Sequence, residues 1–201
     1  MTIRISFGVY GETARWALRV VDQVSKKDVV RPLLLDARPN AVHNENLVLA
    51  GLCLAGDVDD DFFFTGHLGD GFVSYLKDNL GVEIRSKLTK EQKQIYTQAT
   101  TLELIEGYNL YPKTPDRDCT RLFLVPSSRF SGSLVGVKER VIASNSWFLR
   151  SELGGRVCAA AALLFAADML AADLVLPISE TDLGNLTPLV NAAGLGLSRS
   201  E

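Results

Sequence analysis

Residues 3–24, IRISFGVYGETARWALRVVDQV, constrain the fold more than any other stretch. Ile3, Ile5 and Phe7 alternate with polar residues, as in a half-buried strand, and Gly8 to Gly11 then punctuates the chain. Ala14, Ala17, Leu18, Val21 and Val24 recur at helical spacing, with Arg15, Arg19 and Asp22 elsewhere on the cylinder, so a helix is expected to open at Glu12 or Thr13. A short apolar run, Leu33 to Leu35, follows Arg31-Pro32 and is closed by Asp36. Strand, helix and strand in that order predict two parallel strands joined by a right-handed crossover.

The rest of the chain extends this pattern. An apolar helix is expected from His43 to Gly56, a strand over Phe62–Gly66, and a turn at HLGDG leading into a helix over Phe72–Asn79. Thr89–Glu106 is expected to be helical because TKEQ at its start matches a capping box. Tyr108–Asp118, with two prolines, is expected to be a loop, and Arg121–Val125 a strand. Ser133–Ala143 is expected to be the other arm of a hairpin around Phe130-Ser131-Gly132. A Gly154-Gly155 break precedes a helix over Arg156–Ala171, a strand over Asp173–Ile178, an exit loop SETDLGN and a closing helix over Leu186–Ala193. No repeat or linker stands out. The alternation predicts a single α/β domain with a mainly parallel sheet in a Rossmann-like three-layer α/β/α arrangement, its middle region (57–151) being the least defined.

Composition narrows the function classes. Hydrophobic residues make up 47% and charged residues 22%, as in a soluble globular chain, and a formal charge of −3 gives no general attraction to nucleic acid or anionic membrane. The N-terminal residues lack a signal-peptide h-region. The most apolar run, Val157–Leu176, carries Asp168 and Asp173 and suits a buried helix running into a strand better than a membrane span. Cys53, Cys119 and Cys158 are far apart and form no CxxC pair, so neither structural zinc nor a disulfide framework is implied, and a cytoplasmic protein is expected.

Ligands of open parallel sheets lie beyond the carboxyl ends of the strands. That rule nominates four loops: Gly8–Thr13, Asp36–Asn40, the turn around His67, and Ser179–Asn185. In the first, Gly8 and Gly11 permit a tight turn, and the first-turn amides near Thr13 would face a phosphate. GVYGETA is only a loose variant of a dinucleotide fingerprint, with Asp36 and neighbouring Arg38 near where a ribose would sit; an ordinary tight turn is the plain alternative. Ser179, Glu180, Thr181 and Asp182 are suited either to holding magnesium or a substrate amine, or to capping the final helix. SSRFSGS lacks the P-loop pattern, and DVDDD lacks calcium-loop spacing. His43 and His67 sit in no metal motif, and GxSxG is absent.

FGVYGETA (Phe7–Ala14), LLLDARPN (Leu33–Asn40), HNENLVLAGLCLAG (His43–Gly56) and the C-terminal ADLVLPISETDLGN are similar, in their order, to PP-loop ATP pyrophosphatases such as the cyano-deazaguanine synthases. The likeness covers both ends of the chain and leaves the middle aside. Gly8, Val9 and Tyr10 stand where that family has Ser-Gly-Gly, and its zinc-binding cysteine cluster is absent. The resemblance implies a diverged member that binds a nucleotide or nucleotide-like molecule. If active, it would adenylate a base or carboxylate with ATP and magnesium. Gly8, Gly11 and Thr13 would then hold phosphate, Asp36 and Arg38 would border base or ribose, and Ser179 and Glu180 would meet substrate. Glu12 and Asp182 would carry the chemistry, Asp182 with the metal. The alternative is a pseudoenzyme, a non-catalytic subunit assembling as a homo-oligomer or with a protein partner through Tyr108, Tyr111, Trp147 and Phe148. A nicotinamide-dependent oxidoreductase is the third option.

Overall fold

The computed structural model describes residues 2–56, 61–90, 100–107 and 118–200. The first half of the chain gives β1 (Thr2–Tyr10), β2 (Arg15–Asp22), β3 (Leu33–Leu35), α1 (Asn44–Ala55), β4 (Asp61–Gly69), α2 (Asp70–Leu80) and β5 (Ile84–Thr89). The second half gives β6 (Thr100–Glu106), β7 (Cys119–Pro126), β8 (Ser133–Val135), β9 (Glu139–Ser144), α3 (Ser146–Leu153), α4 (Arg156–Ala166), β10 (Ala171–Leu176), α5 (Glu180–Ala192) and β11 (Gly196–Arg199). All the strands belong to one sheet, and six of its ten strand pairings are parallel. The α/β class with a mainly parallel sheet is therefore as expected.

The opening unit is not. The helix expected from Glu12 is the strand β2, which pairs antiparallel with β1 in a hairpin, and β3 then pairs antiparallel with β2. Gly11 and Ala14, at φ 55° and 53°, turn the chain back. In the hairpin register Ile5 faces Val20 and Phe7 faces Leu18, so two alternating apolar sets stack on one side of the sheet. Val20-Val21 and Trp16 also suit a pleated surface better than a helix. Val24, assigned to the helix's apolar face, is 87% exposed.

Three further expectations change. Thr100–Glu106 is a strand whose Leu102 and Leu104 are buried while Thr101, Glu103 and Ile105 beside them are only partly so, a period of two; 91–99 lie outside the described residues. The hairpin lies between β8 and β9, turning at 136–138, whereas β7 and β9 are parallel. SETDLGN is the start of α5 rather than a loop, and β11 was not anticipated at all. The predicted loop at 108–117 and most of DVDDD lie outside the described residues.

The strand order is β11-β10-β6-β7-β9-β3-β2-β1-β4-β5, with β8 on β9. Counted outward from the β3–β9 junction, each half presents its third, second, first, fourth and fifth path strands in the same order. The topology therefore repeats where the sequence shows no repeat. α1 and α4 take corresponding places, as do α2 and α5, and the halves differ in that β2 opposes β1 whereas β7 parallels β6. The junction itself is a single Cα pairing, Leu35 with Ser144.

Helix α4 packs on α1, α3 and α5 as well as on β6 and β10, and every residue from Val157 to Ala166 is buried. Alanine at five of those ten positions lets neighbouring backbones approach closely from several sides. The described helices contact one another in succession and so share one face of the sheet. Among the described residues the opposite face carries no helix. It shows Arg4, Ser6 and Arg19 in the first half and Glu103, Glu139 and Asp173 in the second. No helix among the described residues is long and apolar enough to cross a membrane.

Candidate functional site

The loop that the sequence nominated for phosphate is the β1–β2 turn. Glu12 and Thr13 are exposed there, and the Thr13 hydroxyl donates to the Tyr10 carbonyl at 2.7 Å. No helix follows, so the first-turn amides invoked for phosphate are replaced by strand backbone. Gly8 lies within β1, with open space where a Cβ would stand.

Asp36 directly follows β3 and accepts on both oxygens. Arg15 Nε donates to Oδ1 at 2.5 Å and the Gly132 amide donates to Oδ2 at 2.7 Å, so this carboxylate ties the hairpin of the first half to the loop before β8. Arg38 lies over the Trp16 ring at 5.3 Å, and Trp16 in turn packs on Phe7 with centroids 5.4 Å apart.

Ser179 is the N-cap of α5: its Oγ accepts from the Asp182 amide at 3.0 Å and donates to Asp182 Oδ2 at 2.9 Å. The same Oδ2 accepts from the Gly155 amide at 3.1 Å, at the start of α4. One carboxylate thus serves the N-termini of two helices, where negative charge is favoured. Glu180 and Thr181 are exposed on the first turn.

Between the carboxyl ends of β6 and β10 the chain departs in opposite directions, toward β7 and toward α5 and β11, which is a topological switch point. Glu106 and Arg150 form an ion pair there, with the Glu106 side chain only 5% exposed. Arg150 also donates to the Pro177 carbonyl and contacts Cys158 Sγ at 3.7 Å. Glu106 Oε1 has no hydrogen-bond partner among the described residues. Neither residue was nominated from sequence. The available signal was period-two alternation in TTLELIE, which makes Glu106 a strand end instead of a helix end.

Two of the three thiols, those of Cys53 and Cys158, are buried. Burial pushes Cys158 up to about 11, with Arg150 opposing and Asp182 reinforcing, and pushes Cys53 up to about 12 against the pull of Arg156. His43 precedes α1 and His67 lies in β4, remote from each other in the sequence and in no metal cluster; no group of three potential metal ligands occurs among the described residues.

The two nominated regions do not converge. β1, β3, β4 and β5 run opposite to β6, β7, β9 and β10, so the carboxyl ends of β3 and β10 face opposite ways. Asp36 on β3 and Ser179 after β10 are separated by four inter-strand spacings, about 19 Å at ~4.8 Å each. One metal ion or one triphosphate end cannot touch both. Comparison with protein-family models, curated proteins and solved structures gives no significant match.

Proposed function

We propose that the chain is a non-catalytic binding module for a nucleotide or nucleotide-like phosphate compound, held on an α/β scaffold. The observation that carries this reading is the engagement and separation of the carboxylates. Both oxygens of Asp36 and Oδ2 of Asp182 accept intramolecular donors, and the strands that these residues follow, β3 and β10, lie about 19 Å apart across the sheet. Adenylation needs magnesium-binding oxygens and a phosphate cradle at one place. The likeness to PP-loop enzymes therefore enters as a source of ligand class, with ATP and magnesium the first pair to test, and not as a source of mechanism. The scaffold is Rossmann-like only in the general sense that parallel strands alternate with helices.

The test is a thermal-shift series with ATP, AMP, NAD and GTP, each with and without magnesium, beside a pyrophosphate-release assay. A ligand at a hundredfold excess over Kd stabilises by about 2.7 kcal/mol, or roughly 5–11 °C for a chain of this size. A shift without pyrophosphate release supports the reading. Magnesium-dependent release of pyrophosphate overturns it.

A second reading, a subunit that docks on another protein or on its own copy, is favoured by Trp147 and Phe148, which α3 leaves 45% and 62% exposed. Light scattering on the purified chain separates the two: a strict monomer that binds nucleotide removes the homo-oligomer.

A further inference from the structure

A cleft of about 300 Å³ opens on the face of the hairpin turned away from the described helices, lined by Arg4, Ser6, Arg19, Val21, Gln23 and Lys26. Its construction follows from register. Arg4 stands opposite Val21 and Ser6 opposite Arg19, so all four side chains share one face and the two arginines are diagonal neighbours. Like charges so placed on a sheet repel, and the fold leaves that repulsion only partly relieved. Arg19 is held by both oxygens of Asp28, at 2.8 and 3.1 Å. Arg4 and Lys26 have no carboxylate partner among the described residues.

The rim is rigid. Asp22 accepts from the Val24 amide and from both the amide and the hydroxyl of Ser25, while an isolated bridge joins Val21 to Asp28. This folds the turn so that Lys26, at φ 60°, stands beside the two arginines. Further along the same face of β1 stand Gly8, with no atom within 4 Å of where a Cβ would be, and Tyr10, whose ring lies 5.4 Å from the Arg19 guanidinium. The cleft thus has three cations, one of them paired with Asp28, and two neutral polar side chains, with Gly8 and Tyr10 further along the same face of β1.

The geometry points to this cleft as a binding site for a phosphate monoester, with Arg4, Arg19 and Lys26 around the phosphate and the remainder of a small molecule lying over Gly8 toward Tyr10. Two guanidinium groups and an ammonium match a compact dianion with several acceptor oxygens. Ser6 and Gln23 add neutral hydrogen bonds. This deepens the binding-module reading by giving it a place, and it rests on that reading only for the nucleotide part of the ligand.

Isothermal titration calorimetry of the full chain with inorganic phosphate and with AMP, at low and at physiological salt, tests the site. Saturable one-to-one binding is expected, weakened about tenfold or more by Arg4→Ala or by Lys26→Ala and partly restored by Arg4→Lys. Arg85→Ala serves as a control, since Arg85 pairs with Asp61 at 2.7 Å outside the cleft and its loss is expected to leave affinity unchanged. Unaltered melting temperatures show that the variants fold. Absence of binding by either probe overturns the site, as does equal weakening by Arg85→Ala, which marks diffuse attraction. AMP binding that survives both cleft substitutions overturns the site while leaving the module reading intact. Phosphate binding in the cleft with AMP no tighter keeps the site and removes the nucleotide from the module reading. Vesicles carrying phosphatidic acid, run with wild type and Arg4→Ala, distinguish a lipid source of the same group from a soluble one.

Discussion

Replacing Asp36 by alanine separates a ligand-binding carboxylate from a structural one. Asp36 is 12% exposed and its partner Arg15 23%. The substitution removes a charge-assisted bond to Arg15 Nε at 2.5 Å and another to the Gly132 amide at 2.7 Å. It leaves a guanidinium whose Nη2 is already buried without a hydrogen-bond partner among the described residues. Charged hydrogen bonds contribute about 1.5–3 kcal/mol each, and breaking a fully buried pair costs about 3–5 kcal/mol. Partial exposure of both groups lowers that range, so a loss of about 2–3 kcal/mol is expected. For a chain of this length that is roughly 4–12 °C in Tm. Asp36→Asn, which retains an acceptor for the Gly132 amide, should lose less. Urea unfolding of wild type, Arg15→Ala, Asp36→Ala and the double variant gives the coupling directly. A coupling below about 0.5 kcal/mol, or a more stable Asp36→Ala, would refute the reasoning and return Asp36 to the ligand.

Other outcomes follow from the same geometry. An alanine Cβ at Gly51 would stand 2.5 Å from Ile5 Cγ2, so Gly51→Ala should cost about 1–3 kcal/mol in urea unfolding, part of it relieved by a second Ile5→Val change. Ser179→Ala removes the α5 cap and one of the two donors to Asp182 Oδ2, and should cost about 1 kcal/mol by the same assay. Because folding raises the thiols of Cys53 and Cys158 above 9.0, their contribution to stability is present below that pH and falls as pH rises. The slope is about 1.4 kcal/mol per pH unit for each, ending near about 11 for Cys158 and about 12 for Cys53. Denaturant midpoints measured upward from pH 8 should therefore fall less steeply in a Cys53→Ala, Cys158→Ala chain. In native protein near pH 8 a thiol reagent should label these two cysteines only after unfolding.

Elements whose pattern had one solution were legible in the sequence. α1, β4, β7, α4 and β10 all fall where apolar runs of decisive length predicted them, because burial on several sides leaves little else for LVLAGLCLA or VCAAAALLFA to do. Arg15–Asp22 had two solutions. Its apolar residues fit a helical face and a pleated face about equally, and Glu12-Thr13 supplied a helix start that the chain uses as a turn. Non-local pairing with Ile5 and Phe7 decided the outcome, and a local pattern does not contain it. The same competition misplaced Thr100–Glu106, where a capping signature outweighed the alternation of Leu102 and Leu104. The candidate site inherited the error. A phosphate loop needs a helix behind it, whereas the cleft of Arg4, Arg19 and Lys26 needs a hairpin, so its residues were unreadable as a group until the register was known.

The measurement closest to the central claim is ATP titrated into the purified chain with magnesium, with bound nucleotide and released pyrophosphate followed in the same sample. Saturable binding with pyrophosphate no higher than in a protein-free control is the result predicted for a binding module. Magnesium-dependent pyrophosphate release that scales with protein concentration would contradict it.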